Sequence, residues 1–308
     1  MMRALFALDP AHGAALADEL GLKPAAFDEQ IFEDGERKLT ARDAVMDVDC
    51  LVVESLYAEA GRSADAKLLR LGFFIAGLKA AGASRVTLVA PYLCYTRKDR
   101  RQAPADPVLT RHVAELLEAM GTDRLVTLDV HNPAALDNAF RIPVRNCGTD
   151  PLFAERLRAE LQDQSVVVVS PDIGGIKRSD AFRSELARRL GTEPGRAIME
   201  KLRGADGIRG ELLLGDPVDG RVVVLIDDLI NTGGTLSKAA AACRAAGASQ
   251  IIACASHGLF VAPAAEVLSA HIDRLLVSDS VPAFRLAGSA LLERVEVVRS
   301  AACLAAAL

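Results

Sequence analysis

Short apolar runs alternate with longer alanine-rich stretches along the chain, and each kind of segment predicts a different element. Residues 166–170 (Val-Val-Val-Val-Ser) and 222–226 (Val-Val-Val-Leu-Ile) lack the polar alternation of a half-solvated strand, so they read as parallel strands buried on both faces. Residues 85–90 and 125–129 read as strands as well, the first running into a turn at Pro91. Residues 66–81, ahead of the first of these strands, and 108–120, between them, are long enough for helices and rich in good helix formers, and 239–246 forms a further helix that stops at Gly247. Strands alternating with helices predict an α/β fold with mostly parallel sheets, in which ligands collect at the C-terminal ends of the strands. Those ends carry polar residues here: Asp129, the Pro171-Asp172 pair and the Asp227-Asp228 pair. The string Ala-Ala-Gly-Ala-Ser occurs at 80–84 and again at 245–249, each time between a helix and a strand. An internal duplication accounts for that, and so does the ordinary preference for glycine after a helix.

Composition narrows the class. With 308 residues, 51% of them hydrophobic, the chain holds enough apolar side chains for two domains with a core each. No apolar run approaches the ~20 residues of a membrane helix, and the stretch before Asp9-Pro10 is short for a signal peptide, so a cytoplasmic protein without a membrane span is expected. A net charge of -5 argues against nucleic acid as a partner. The local cluster Arg97, Lys98, Arg100 and Arg101 still supplies the field that a small phosphorylated ligand needs. The six cysteines form no CxxC pair and fit reduced, buried thiols better than a metal site.

The strand at 222–226 leads into Asp227-Asp228-Leu229-Ile230-Asn231-Thr232-Gly233-Gly234-Thr235, with a helix directly behind. Gly233 and Gly234 let the backbone approach a ligand, and N–H groups at a helix start attract an anion. Thr232 and Thr235 add hydroxyl donors, while Asp227 and Asp228 can accept hydrogen bonds from sugar hydroxyls. No lysine follows the glycines, which excludes the P-loop. The segment resembles the phosphoribosyl-binding motif shared by phosphoribosyltransferases and ribose-phosphate diphosphokinases, the synthetases of phosphoribosyl pyrophosphate.

Further segments extend the resemblance to the synthetases over nearly the whole chain. Residues 91–101, Pro-Tyr-Leu-Cys-Tyr-Thr-Arg-Lys-Asp-Arg-Arg, are similar to a synthetase signature that transferases lack. An array of cations there suits a nucleoside triphosphate, and the guanidinium of Arg97 can stack on adenine or pair with phosphate. In Thr127-Leu128-Asp129-Val130-His131 a histidine at a strand end reads by itself as structural, but the resemblance gives His131 a part in holding magnesium-bound ATP. Ser170-Pro171-Asp172 followed by Gly174-Gly175 matches the family's pattern, in which Asp172 is a carboxylate ligand to magnesium. Phe32-Glu33-Asp34-Gly35-Glu36 resembles the element that contacts adenine across a subunit boundary. Lys201-Leu202-Arg203 and the glycine-rich run after it match the position and spacing of the family's catalytic loop.

The resemblance implies two phosphoribosyltransferase-like domains, 1–146 and 147–290, with a tail from about Leu291 to residue 308 returning to the first. It implies diphosphoryl transfer from ATP to the 1-hydroxyl of ribose 5-phosphate, with Mg2+ as cofactor. Ribose 5-phosphate would sit on Asp227, Asp228, Asn231, Thr232, Gly233, Gly234 and Thr235. ATP would sit on Phe32, Asp34, Glu36, Arg97, Lys98, Asp99 and Arg101, with magnesium on His131 and Asp172 and catalysis by Lys201 and Arg203. A shared adenine site implies a homo-oligomer, a dimer or a hexamer. Several positions depart from the family: Asn231 stands for a third acid, Lys98 for glutamine, Gln102 to Pro107 for a phosphate- and ADP-binding stretch, and Arg62 to Lys67 for an asparagine-rich one. They point to a divergent branch without that regulation. A catalytically silent regulatory homologue and a phosphoribosyltransferase are the alternative readings.

Overall fold

The computed structural model describes residues 2–204 and 207–308, the side chains at 201–204 and 207–211 excepted. Two compact units emerge, Met1–Cys147 with Ser300–Leu308, and Gly148–Arg299.

In the first unit the order of elements is β1 (Arg3–Ala7), α1 (Pro10–Leu20), β2 (Phe27–Ile31), β3 (Arg37–Ala41), β4 (Asp49–Val53), α2 (Ala64–Ala80), β5 (Arg85–Ala90), α3 (Leu109–Ala119), β6 (Arg124–Leu128), α4 (Pro133–Ala139) and β7 (Val144–Cys147). Strands β1, β4, β5, β6 and β7 form a parallel sheet in that order, so the C-terminal ends of β5 and β6 lie side by side. β4 is buried at all five positions, as an inner parallel strand must be. Helix α2 starts two residues before the predicted 66 because the Ser63 hydroxyl caps it, accepting from the Ala66 N–H at 3.1 Å. It packs Leu71, Phe74, Ile75 and Leu78 on the sheet. β2 and β3 pair only with each other, as a two-stranded antiparallel sheet whose apolar contact with the body includes Phe27 against Phe74.

The second unit runs α5 (Asp150–Leu161), β8 (Val166–Ser170), α6 (Ile176–Leu190), β9 (Gly195–Gly204), β10 (Gly207–Gly215), β11 (Val222–Ile230), α7 (Gly234–Ala245), β12 (Gln250–Gly258), α8 (Ala264–Ser269), β13 (Arg274–Ser278) and β14 (Val295–Val298). Its seven-stranded sheet has the order β10-β9-β8-β11-β12-β13-β14 and is parallel except for the β9–β10 pair. Apolar side chains bury both faces, Phe153, Leu157 and Phe182 on one and Leu236, Ala239, Ala240 and Leu268 on the other. These are the mostly parallel, helix-flanked sheets of the expected α/β class.

The predicted tail needs correcting. Residues 291–299 stay with the second unit, because Val295–Val298 adds a strand to β13. Only Ser300–Leu308, with helix α9 (Ala301–Ala305), joins the first unit. There Leu304 packs with Leu5, Leu16 and Leu128, and Arg124 donates to the Leu308 carbonyl at 3.0 Å. Among the described residues no helix is long and apolar enough to cross a membrane.

Candidate functional site

In the second unit the site forms where β11 ends. This strand runs four residues beyond the predicted 226, pairing Asp227 with Ala255 and Ile230 with Gly258 on β12. The acid pair therefore sits on a rigid strand rather than on the loop. Residues 231–233 make the turn, with Asn231 and Thr232 exposed, and α7 begins at Gly234. Gly233 has φ +75°, a conformation that glycine alone adopts readily, and a Cβ there would come within 2.8 Å of the Leu268 side chain. No side chain caps α7, so its first N–H groups keep the donor capacity that an anion uses.

The turn is braced from behind. Leu259 N and Phe260 N donate to the Ile230 carbonyl at 2.9 and 3.2 Å, and Val261 N donates to the Asn231 carbonyl at 2.8 Å. Phe260 holds φ +48° while doing so. No local pattern in the sequence announces these residues, since 259–261 reach the turn from the end of β12 and Leu268 reaches it from α8.

β8 is the other neighbour of β11, so Asp172 lies just past the same end of the sheet as Asp227 and Asp228. Its carboxylate accepts from the Gly175 N–H at 3.0 Å and fixes the short turn Ile173–Gly175. Asp227 is pushed well above the usual carboxylate range, first by burial and then by the neighbouring Asp228 carboxylate. A divalent cation or a hydrogen-bonding polyol relieves that repulsion.

In the first unit, the loops after β5 and β6 meet. Asp99 accepts from the Asn132 amide at 2.7 Å, which sets the 95–101 loop beside His131. Tyr95 has φ +63°, its hydroxyl donates to Asp65, and its carbonyl accepts from Lys98 N and from the Thr110 hydroxyl, both at 2.9 Å. Asp129 is buried with φ +35° and donates its N–H to the Cys147 carbonyl at 2.7 Å. Strained backbone at two neighbouring strand ends is the local geometry that binding sites tend to store. Arg97, Lys98 and Arg101 are exposed around it. Asn132 escaped the sequence reading; its only signal was its place after His131.

Phe32, Asp34 and Glu36 occupy the tip of the β2–β3 hairpin, a turn closed by Phe32 N to the Glu36 carbonyl at 2.9 Å and by Glu36 N to the Asp34 carboxylate at 3.1 Å. All three are exposed. The side chains of Lys201 and Arg203 lie outside the described residues.

Among the described residues no group of three or more His, Cys, Asp and Glu side chains could hold a metal ion. Magnesium keeps waters and takes one or two carboxylates together with substrate phosphates. Asp172 and the Asp227-Asp228 pair offer carboxylates of that kind.

Residues 7–121 match the model described as the N-terminal domain of ribose phosphate pyrophosphokinase, and 210–298 match the phosphoribosyl synthetase-associated domain. Among curated relatives, the ribose-phosphate pyrophosphokinase of Caldanaerobacter subterraneus subsp. tengcongensis is 34% identical over 275 residues, covering 89% of this chain and 84% of that protein. The enzyme of the same name from Thermotoga maritima is 33% identical over 269 residues, covering 86% and 82%. Phosphoribosylpyrophosphate synthetase from Mycobacterium smegmatis superposes with a TM-score of 0.88 at 27% identity, covering 100% of this chain and 97% of that one.

Proposed function

The chain belongs to the ribose-phosphate pyrophosphokinase family, and from that premise we propose that it converts ATP and ribose 5-phosphate to phosphoribosyl pyrophosphate and AMP. One observation carries the proposal: a paired carboxylate on a buried strand end leads straight into an uncapped Gly-Gly turn. Such a turn offers N–H donors to a phosphate and carboxylates to the sugar hydroxyls a few ångströms away.

In this reading the backbone N–H groups of Asn231, Thr232, Gly233, Gly234 and Thr235 hold the 5-phosphate, and Asp227 and Asp228 orient the ribose. Arg97, Lys98, Asp99 and Arg101 hold the ATP polyphosphate and base together with Phe32, Asp34 and Glu36. The 1-hydroxyl gives up its proton to solvent and its oxygen forms a bond to the β-phosphorus while the bond from that phosphorus to the α,β-bridging oxygen breaks, and AMP leaves with that oxygen. Lys201 and Arg203 neutralise the charge that grows on the transferring group. Catalysis then consists of holding two anions in line, and no covalent intermediate with the protein is formed. His131 and Asp172 are the residues that would hold magnesium, which would supply charge neutralisation on the polyphosphate. We place the enzyme in the cytoplasm as a homo-oligomer, the hairpin tip reaching the nucleotide of a neighbouring copy. The exposed Ile31 and Phe32 fit that arrangement.

The test is AMP release by the purified protein given magnesium, ATP and ribose 5-phosphate, alongside Lys201→Ala, with and without inorganic phosphate. Activity that the lysine variant loses by at least roughly 100-fold supports the assignment. A wild-type protein silent across donors and sugar phosphates would instead favour a non-catalytic homologue, with Asn231 the first residue to restore to an acid. Dependence on phosphate would overturn the expected lack of phosphate regulation.

A further inference from the structure

The β2–β3 hairpin shares no ladder with the five-stranded sheet, and an isolated two-stranded hairpin is marginal in water. Something else must aim it. Apolar contact between Phe27 and Phe74 attaches its base, with ring centroids 5.6 Å apart, but such contact tolerates sliding. A directional attachment lies one position further along the same face. Glu29 accepts from Arg70 twice, from Nε at 3.0 Å and from Nη2 at 2.8 Å, and from Arg37 on the opposite strand at 2.8 Å.

Arg70 sits on α2, and its third donor, Nη1, reaches Glu54 just past the end of β4 at 2.8 Å. One guanidinium thus joins hairpin, helix and sheet. It is buried, with 4% of its side chain exposed, and Glu54 is at 1%. Lys67, one turn earlier on α2, completes the cluster, with Nζ 3.8 Å from Glu54, 3.0 Å from Glu59 and 3.7 Å above the Tyr57 ring. A planar fork bonded on both edges has a single geometry, which an ammonium on a flexible stem cannot reproduce. Beyond Glu29 the strand carries only exposed residues, Gln30 and Ile31, up to the turn that presents Phe32, Asp34 and Glu36.

We propose that Arg70, clamped between Glu29 and Glu54, is a positioning residue that sets the direction of the hairpin tip and through it the affinity for the nucleotide. This rests on the assignment of Phe32, Asp34 and Glu36 to the nucleotide site. Neither Arg70 nor Glu29 touches substrate. Their action is confined to one of the two substrates, because the sugar-phosphate turn lies in the other unit and draws its support from β12 and Leu268.

Steady-state kinetics of the full-length protein as Arg70→Lys, Glu29→Gln and Phe32→Ala decide the matter. Arg70→Lys keeps the charge and loses the fork, so the KM for ATP should rise about tenfold, the scale of a displaced positioning element, with kcat and the KM for ribose 5-phosphate within about twofold of wild type. Glu29→Gln sits at the half-buried rim and should show the same split if Arg70→Lys does not fold. If Phe32→Ala raises the KM for ATP while folded Arg70→Lys and Glu29→Gln leave it unchanged, the clamp is not a positioning device and the nucleotide assignment stands. If Phe32→Ala leaves the KM for ATP unchanged, that assignment fails and takes the inference with it. A uniform loss of kcat and both affinities in the clamp variants marks a role in stability alone and overturns the proposal.

Discussion

Replacing Gly233 by alanine perturbs the sugar-phosphate turn by two separate mechanisms. An L-residue held at the φ of +75° costs about 1 kcal/mol relative to glycine. The new methyl carbon would also stand 2.8 Å from Leu268 Cγ and 3.0 Å from each of its Cδ atoms. Leu268 is fully buried and cannot swing away, so this overpacking costs about 1–3 kcal/mol more. The total, roughly 2–4 kcal/mol, either lowers the unfolding midpoint in urea or is relieved by distortion of the turn, which moves the N–H groups at 234 and 235. In the second case a loss of 2 kcal/mol corresponds to a rise of about 30-fold in the KM for ribose 5-phosphate. Gly234→Ala is the matched control. A Cβ there meets nothing within 4 Å and its φ is ordinary, so stability should stay within about 0.5 kcal/mol or improve, while the methyl group intrudes on the ligand's approach. Both variants should thus lose ribose 5-phosphate affinity, and only Gly233→Ala should lose stability. A double-mutant cycle with Leu268→Ala should return a favourable coupling of about 1–3 kcal/mol. Wild-type stability and KM in Gly233→Ala, or strict additivity in the cycle, would refute the reasoning.

Asp227→Asn removes a carboxyl whose ionisation is opposed by burial and by Asp228, so the ligand-free variant should melt higher than wild type at neutral pH while losing at least roughly 100-fold in kcat/KM; differential scanning calorimetry with the AMP assay checks both. Glu29 is held down at about 2 by its hydrogen bonds to Arg70 and Arg37 against the opposing effect of burial, so its stabilisation is complete above pH 4.5 and lost as pH falls from there towards 2. With solvent screening this amounts to on the order of 2 kcal/mol, and urea titrations in that window should show a shallower acid limb for Glu29→Gln. Burial raises Glu54 to about 7, which gives the opposite slope, stability falling as pH climbs from 4.5 through 7. Leu304→Ala, at a site only 2% exposed, should cost about 2–5 kcal/mol in the first unit and leave the second unit's urea transition in place.

The elements legible in the sequence are those whose burial is symmetrical. β5 and β8 have the bounds that their apolar runs predict, because an inner parallel strand needs no information beyond its own residues. The apolar run alone ends β11 at 226, because Asp227 and Asp228 look like a loop, and only the facing strand β12 shows that the ladder continues. The hairpin was invisible as an element, since Phe27–Ile31 and Arg37–Ala41 are mostly polar and bury one face thinly. Lys67 and Arg70 look like the solvated side of a helix. What buries them is Glu29 and Glu54, 41 and 16 residues from Arg70, and local sequence does not encode such a pairing. The tail boundary slipped from 291 to 300 because the four-residue strand Val295–Val298 exists through its neighbour β13. Conversely, the acids, threonines and glycines of the sugar-phosphate turn were readable because their spacing is chemical and survives any small shift in where strand becomes helix.

In this enzyme family's reaction a diphosphoryl group moves intact from ATP to the anomeric oxygen of ribose 5-phosphate. Phosphorus-31 NMR of the purified protein with magnesium, ATP and ribose 5-phosphate follows both products at once. The ATP resonances should decay as AMP appears in equal amount with a diphosphate attached to carbon 1 of the sugar. Formation of ADP and a sugar monophosphoryl product, or no change in the presence of every component, would contradict it.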